Sequence, residues 1–261
     1  MLRNIYQYRA FILSTLKVEF FSRYSRSKLG FLWSIINPFL QVLIYSIIFS
    51  AVMQAKIINT SNEYSYAVYL LSGIIAWNLF YEIIIKLLKI FYTYERLIKT
   101  FNFPKIILPI IVVTVAIINF MITFIPVYIA FLLLGHNPNE YLYWLPILIC
   151  ITALYAFSLG LLFGVLNVFF KDIEHIVPIL LQFLFWLTPI VYFIDFVPKS
   201  VSFLLEMNPM YLIINSFHNV LTFNSPPDQN FIMYLVFICS GLFILALYVF
   251  NKTQRNLTDL L

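Results

Sequence analysis

The sequence predicts an all-α protein that crosses a membrane several times, and three observations support this prediction. Of the 261 residues, 62% are hydrophobic and only 10% are charged, whereas soluble domains carry about 25% charged residues. The mean hydropathy is +0.93, and a soluble core of this length could not bury so much apolar surface. Six stretches long enough to cross a bilayer as helices contain almost no charged residue. An ordinary soluble enzyme is therefore excluded.

The chain begins with a segment that we predict to be an interfacial helix on the cytoplasmic side, residues 1–28. Within it, Arg3, Arg9, Lys17 and Arg23 are interspersed with large apolar residues. The amphipathic pattern is not clean, but long basic side chains can reach the lipid headgroups from partly apolar positions.

Six membrane spans are predicted to follow, each bounded by charged or turn residues. We place them at residues 29–55, 64–81 (with a turn or two beyond Glu82), 106–139 (including the turn at 135–138), 141–170, 175–194 and 229–251. Between the fifth and sixth spans, residues 195–230 contain too many Asn, Pro and His residues for a lipid-exposed helix. This region is predicted to be a re-entrant pair of short helices that other protein elements must shield. No linker or internal repeat divides the chain, so residues 1–261 are predicted to form a single domain.

The distribution of basic residues predicts the orientation. With the N-terminus inside, the inner segments 1–28, 82–105, 171–175 and 251–261 contain 14 Lys or Arg residues. The outer segments contain only Lys56 and Lys199. Because basic residues collect on the cytoplasmic side, both termini are predicted to be cytoplasmic.

Groups that would indicate catalysis or ion coupling are scarce. The sequence contains no Gly-Lys pair for a phosphate-binding loop, and its three His residues are far apart, so we predict no catalytic or metal site. Cys150 and Cys239 lie in apolar runs and are interpreted as small buried residues. Apart from Glu82, the spans carry no acidic residue that could couple transport to protons. A transporter driven by an energy source outside this chain is favoured over an ion-coupled carrier or channel.

Three groups of segments together resemble one family. They are residues 23–33 followed by Asn37-Pro38; residues 71–78 followed by 97–99 and 103–104; and residues 166–173 followed by 188–190 and 208–209. In this order and spacing they resemble the permease subunit of ABC exporters for cell-surface polysaccharides, which include O-antigen, capsule and teichoic acid. The match extends over nearly the whole chain.

The resemblance implies a homodimer in the bacterial cytoplasmic membrane, assembled with two copies of a separate ABC ATPase. That partner would bind ATP and Mg, so no cofactor is expected in this chain, and no nucleic acid is involved. The cargo would be a lipid-linked glycan. An ABC exporter of drugs or small lipids is the alternative, and its path would need fewer groups that match hydroxyls.

The resemblance also implies roles for particular residues. Leu29 and Gly30 would lie close to where the substrate enters, and residues 195–230 would form an outer gate. Residues 93–104, the coupling segment, would dock on the ATPase through a short helix. The coupling residues named on this basis are Tyr94, Glu95, Arg96, Lys99 and Pro104.

Two uncharged polar stripes are candidates for the substrate path. The first span carries Trp33, Asn37, Gln41 and Tyr45, which recur every four residues; the fifth carries Gln182, Trp186 and Tyr192. The amide groups would form hydrogen bonds with sugar hydroxyls, and the aromatic rings would stack on the apolar faces of the sugar rings. The alternative is that the amides hold helices together and that Trp33 anchors its span at the interface.

Two further patterns leave alternatives open. Gly160 and Gly164 form a Gly-xxx-Gly pair that favours close helix approach, either within the subunit or at the dimer seam, and we favour the former. Lys171, Asp172 and Glu174 form either a solvated turn or a contact with the ATPase.

Overall fold

The computed structural model describes residues 9–24, 65–101, 103–136, 140–194, 197–198 and 205–254, together with four positions between 32 and 44. The first predicted stripe (Trp33, Asn37, Gln41 and Tyr45) and the Leu29-Gly30 pair lie outside the described residues. In the described part of the chain the regular elements are all helical. They are α1 (Arg9–Tyr24), α2 (Ser65–Leu88), α3 (Ile90–Thr93), α4 (Glu95–Thr100), α5 (Ile107–Leu133), a 3-10 helix (Glu140–Trp144), α6 (Leu145–Phe169), α7 (Ile173–Leu187), α8 (Pro209–Leu221) and α9 (Gln229–Thr253).

Four of the described helices, α2, α5, α6 and α9, are long and apolar enough to cross a membrane. They contain 24 to 27 residues, so each extends about 36–40 Å at a rise of about 1.5 Å per residue. That length exceeds the bilayer hydrocarbon core of about 30 Å. The helices agree with the second, third, fourth and sixth predicted spans, and α2 continues past Glu82 to Leu88 as expected. The chain is therefore a multi-pass membrane protein.

The fifth predicted span is helical over only part of its length. Helix α7 has 15 residues and ends at Leu187, so it covers about 22 Å and is too short to cross the hydrocarbon core. It ends because Thr188 precedes Pro189 and adopts an extended conformation, with φ −93° and ψ 129°. The expectation of one span over residues 175–194 was wrong for its last seven residues, which do not form an α-helix.

Helix α2 lies at the centre of the described bundle. Most of its side chains are buried, and it packs against α6, α5 and α8. A Cβ atom on Gly160 would lie 2.9 Å from Leu87 Cβ, and one on Gly164 would lie 2.4 Å from the Leu87 carbonyl oxygen. The two glycines therefore let α6 approach α2 within one subunit, as favoured from the sequence.

The region between α7 and α9 contains one long buried helix, α8. Asn208 caps its first turn, because the Asn208 side chain accepts a hydrogen bond from Met210 N at 3.0 Å and Pro209 occupies the first helical turn. Ser72 of α2 and Thr222 at the end of α8 form a hydrogen bond of 3.2 Å. Most of the preceding predicted helix lies outside the described residues, so the re-entrant pair remains a prediction.

Two other expectations have different outcomes. Residues 9–24 are helical, as predicted, and α1 packs near the start of α5, where Leu16 lies against a buried cluster containing Ile107 and Ile111. Its position at the membrane interface remains a prediction. Cys239 is buried, but Cys150 is exposed, so the expectation that both thiols are buried was wrong for Cys150. An apolar run reveals that a cysteine lies in a helix, not which face it occupies.

Candidate functional site

One end of the bundle, which we call the basic end, is where α2, α6 and α9 finish and where α5 and α7 begin. Lys105 Nζ donates to the carbonyl oxygen of Gln254 at 2.6 Å, which joins the start of α5 to the end of α9. Asn167 Nδ2 donates to the Leu88 carbonyl oxygen at 3.0 Å, which satisfies a terminal carbonyl of α2 from α6. The segments predicted to be cytoplasmic thus meet at a single end.

The coupling segment lies at the basic end and contains the short helix expected there. Helix α4 spans Glu95–Thr100, and the Phe101 N–H closes its last turn on the carbonyl oxygen of Leu97. Ile98 is buried, whereas Thr100 and Phe101 are exposed, Phe101 to 63%. The segment therefore packs through Ile98 and leaves a polar side exposed.

The five predicted coupling residues differ in exposure, and Glu95 is partly buried. Arg96 and Lys99 are exposed, and Lys99 Nζ lies 2.6 Å from Glu95 Oε1 within α4. Tyr94 and Pro104 are partly buried, and the Pro104 carbonyl oxygen accepts a hydrogen bond from Ile107 N at 3.0 Å, next to the start of α5. Arg96 and Lys99 therefore present charge outward, while Tyr94 and Pro104 help to hold the segment in place.

The turn before α7 contacts the residues that lead into the coupling segment. Lys89 Nζ lies 2.8 Å from Glu174 Oε1, and the Lys89 hydrogen bond holds the pKa of Glu174 below its usual value. Lys171 Nζ lies 6.0 Å from the ring centroid of Tyr92, and the Tyr92 hydroxyl donates to the Asn167 carbonyl oxygen at 3.4 Å. The Glu174 carboxylate thus pairs within the chain, and contact of this turn with the ATPase stays a prediction.

A groove of about 400 Å³ lies between α2 and α7. Gln182 and Trp186, two members of the second predicted stripe, both line it. Trp186 is 60% exposed, and Gln182 is exposed as well. The opposite wall is formed by Trp77 and Tyr81 of α2. The groove combines an amide with aromatic faces, a combination that suits a ligand bearing both hydroxyls and apolar faces.

The third member of that stripe has a different environment. Tyr192 does not line the groove; its hydroxyl lies 3.1 Å from the Trp186 carbonyl oxygen and 3.2 Å from that of Leu187. Both carbonyls belong to the last turn of α7, where no further helical N–H is available. Tyr192 therefore stabilises the end of the helix that carries Gln182 and Trp186.

Two tyrosines of α2 hold the irregular segment that follows α7. The Tyr69 hydroxyl lies 3.3 Å from the Pro189 carbonyl oxygen and 3.0 Å from that of Tyr192. The Tyr66 hydroxyl donates to the carbonyl oxygen of Val191. Non-helical backbone is tolerated at membrane depth only when protein groups satisfy its polar atoms, and these hydroxyls supply such groups.

Sequence reasoning assigned no role in the path to the α2 wall of the groove. Trp77 and Tyr81 are four residues apart and so share one face of α2. That aromatic pair was a usable signal, but an i, i+4 pair within a span that is apolar throughout does not by itself distinguish a groove from a packed core.

These features together describe a multi-pass helical membrane protein with a polar and aromatic groove between helices and an exposed short helix at its basic end. The chain belongs to the ABC-2 type transporter family, whose model matches residues 11–222. The chain is thus a transport permease, and the family resemblance found in the sequence motifs is confirmed.

Named relatives match most of the chain. It is 32% identical over 241 residues to the O-antigen export system permease protein RfbA of Klebsiella pneumoniae, covering 92% of this chain and 90% of that protein. It is 26% identical to RfbA of Myxococcus xanthus, covering 99% of this chain and 98% of that protein. It is also 26% identical to the polysialic acid transport protein KpsM of Escherichia coli, over 75% of each chain.

Proposed function

We propose that this chain is the membrane-spanning permease of an ATP-driven exporter that moves a lipid-linked cell-surface polysaccharide, either O-antigen or capsule, across the bacterial cytoplasmic membrane. The groove lined by Gln182 and Trp186 is the observation that supports this proposal most directly. Similarity to O-antigen and polysialic acid transport proteins over three quarters or more of the chain supports the choice of cargo over drugs or small lipids.

The proposed assembly contains two copies of this chain and two copies of a separate ABC ATPase. ATP and Mg would bind to that partner, and this chain would contribute no cofactor site. The exposed face of α4 supports docking at the basic end. Leu29 and Gly30 would lie where the glycan enters, and residues 195–230 would form the outer gate.

The test of this function is complementation. The gene is expressed with its partner ATPase in a bacterium that lacks its own polysaccharide permease, and surface glycan is measured on intact cells. Restored surface glycan is expected, whereas resistance to drugs should not change. Drug resistance without surface glycan would instead support the drug or lipid exporter, and glycan export without any ATPase would contradict the proposal.

We expect reversal of charge on the exposed face of α4 to weaken binding of the ATPase. Arg96→Glu should lower the amount of ATPase that co-purifies with the permease by about tenfold, the effect of losing roughly 1.4 kcal/mol of binding free energy. The control is Lys252→Glu, which reverses the same charge at an exposed position in the last turn of α9, outside the coupling segment. Normal co-purification of Arg96→Glu would mean that α4 is not the docking site.

The orientation is tested by labelling single cysteines in a variant that lacks Cys150 and Cys239. Tyr143 is 63% exposed and lies in the 3-10 helix that precedes α6, and Thr100 is exposed at the basic end. We expect an impermeant maleimide to label Tyr143→Cys in intact cells and Thr100→Cys only after lysis. The opposite pattern would contradict the predicted cytoplasmic termini.

A further inference from the structure

Helix α7 has few buried side chains and makes polar contacts at both ends. Among its residues only Val177 and Leu181 are buried, although the helix contains 15 residues. Its first turn contains Glu174, which pairs with Lys89 beside α2. Beyond its last turn, the hydroxyls of Tyr66 and Tyr69 bond to the segment that follows. Within the described chain, α7 is therefore held mainly by its two buried side chains and by the contacts at its two ends.

Lys89 is coupled structurally to the coupling segment. It lies in the turn between α2 and α3, where its carbonyl oxygen accepts hydrogen bonds from Thr93 N at 2.9 Å and Thr93 Oγ1 at 3.0 Å. Thr93 is the first residue of the coupling segment, and the N–H of the next residue, Tyr94, donates to the carbonyl oxygen of Ile90 at 3.1 Å. A displacement of α4 therefore pulls on α3 and on the backbone of Lys89.

The sequence of α7 permits bending between Glu174 and the groove. Pro178 lies inside the helix, and it has no N–H to donate to the carbonyl oxygen of Glu174, four residues earlier. Helices bend preferentially at such positions. Pro178 also lines the groove, and Gln182 lies one helical turn beyond it. Movement of Glu174 would therefore change the shape of the groove.

We propose that the Lys89–Glu174 ion pair transmits movement of the ATPase-docking segment to α7, so that ATP-driven displacement at the basic end reshapes the groove between α2 and α7. The pair is a positioning device; neither residue touches the cargo. The proposal rests on the function proposed above, because it assumes that an ATPase moves the coupling segment. Half-exposed ion pairs contribute little to stability, so losing this pair should affect coupling more than folding.

The test uses the permease assembled with its ATPase in vesicles and compares Lys89→Glu, Glu174→Lys and the double charge swap. Each single reversal places like charges against each other, and we expect about two- to fivefold less glycan exported per ATP hydrolysed, the range that an exposed pair supports. The double swap restores opposite charges and should recover most of the loss. The proposal would be overturned if the single reversals exported as much glycan per ATP as the parent. It would also be overturned if the double swap exported no more than the single reversals.

Glu140→Lys is the control for Glu174→Lys. Both substitutions change the charge by the same amount, and Glu140 is exposed in the 3-10 helix, away from the coupling segment and from the turn before α7. Export per ATP in this control should stay close to normal. Heat stability and ATPase assembly are measured for every variant, and a purely structural role would lower these instead of the export ratio.

A second readout does not depend on the cargo. Leu187 is 57% exposed at the end of α7, so a fluorescent probe on Leu187→Cys, in a variant without Cys150 and Cys239, reports movement of the helix when ATP is added. We expect an ATP-dependent change in emission that is lost in each single reversal and returns in the double swap. Absence of the change in the parent complex would overturn the link, whereas its presence without glycan export would refute only the proposed cargo.

Discussion

Gly164→Ala is expected to lower the stability of the permease more than Gly160→Ala or Gly241→Ala. The new Cβ would lie 2.4 Å from the carbonyl oxygen of Leu87, a backbone atom that cannot rotate away. Helices α2 and α6 would have to separate near the basic end, where both helices finish. Overpacking of this kind costs about 1–3 kcal/mol, and each kcal/mol lowers the melting temperature of a domain of this size by about 2–4 °C.

Two other helical glycines, Gly160 and Gly241, form a graded series of controls for the same methyl group. At Gly160 the Cβ would meet Leu87 side-chain atoms at 2.9 Å, which predicts a smaller loss, and at Gly241 no atom lies within 4 Å. Gly241→Ala should therefore be neutral or slightly stabilising, because Ala favours a helix over Gly. The measurement is the fraction of protein that remains monodisperse in detergent after heating. If Gly164→Ala were as stable as Gly241→Ala, the close approach of α2 and α6 would be refuted.

The sequence predicted the spanning helices well because the membrane imposes a simple requirement. Lipid cannot satisfy backbone polar groups, so long uncharged stretches must form helices, and α2, α5, α6 and α9 follow this rule. The turn predicted after the third span begins at Gly135, which has a φ of 79° that other residues rarely adopt. These features are local, and each depends on a few adjacent residues.

The misjudged features depend on partners that are distant in sequence. Thr188-Pro189 indicates a possible helix end, but the hydropathy of the sequence favoured a helix through residue 194. The hydroxyls of Tyr66 and Tyr69 hold the non-helical segment in place, and they lie more than a hundred residues away in the sequence. A local pattern therefore could not reveal them. The pairing of Lys89 with Glu174 is likewise invisible in a linear pattern of charges. Exposed Cys150 shows the same limit, since its helix is apolar on every face.

The candidate site was predicted in part. Periodicity placed Gln182 and Trp186 on one face of α7, and they line the same groove. The same pattern included Tyr192, which lies beyond the helix end and bonds to the terminal carbonyls of α7 instead. Helical spacing holds only while the helix continues, so the early end of α7 accounts for this difference.

Trp186→Ala is expected to reduce polysaccharide export by about three- to tenfold without reducing the amount of folded protein. The indole is 60% exposed, so its removal takes little packing from the core. In the proposed path it would stack on sugar rings, and aromatic stacking contributes about 0.5–1.5 kcal/mol. Gln182→Ala should produce a smaller reduction, because one neutral hydrogen bond contributes about 0.5–1.5 kcal/mol net and a water molecule can replace part of it.

Phe183→Ala is the matched control, because the two aromatic residues differ in position and not in exposure. Phe183 is 66% exposed on the same helix but does not line the groove, so its removal should leave export close to normal.

Surface glycan is measured for all variants and divided by the amount of folded permease assembled with ATPase. Equal losses for Trp186→Ala and Phe183→Ala would indicate a general effect on α7. A loss of export that merely follows the loss of protein would mean that Gln182 and Trp186 hold the helices together, the alternative left open by the sequence. Only a selective loss at the groove residues, with normal assembly, identifies this groove as part of the path.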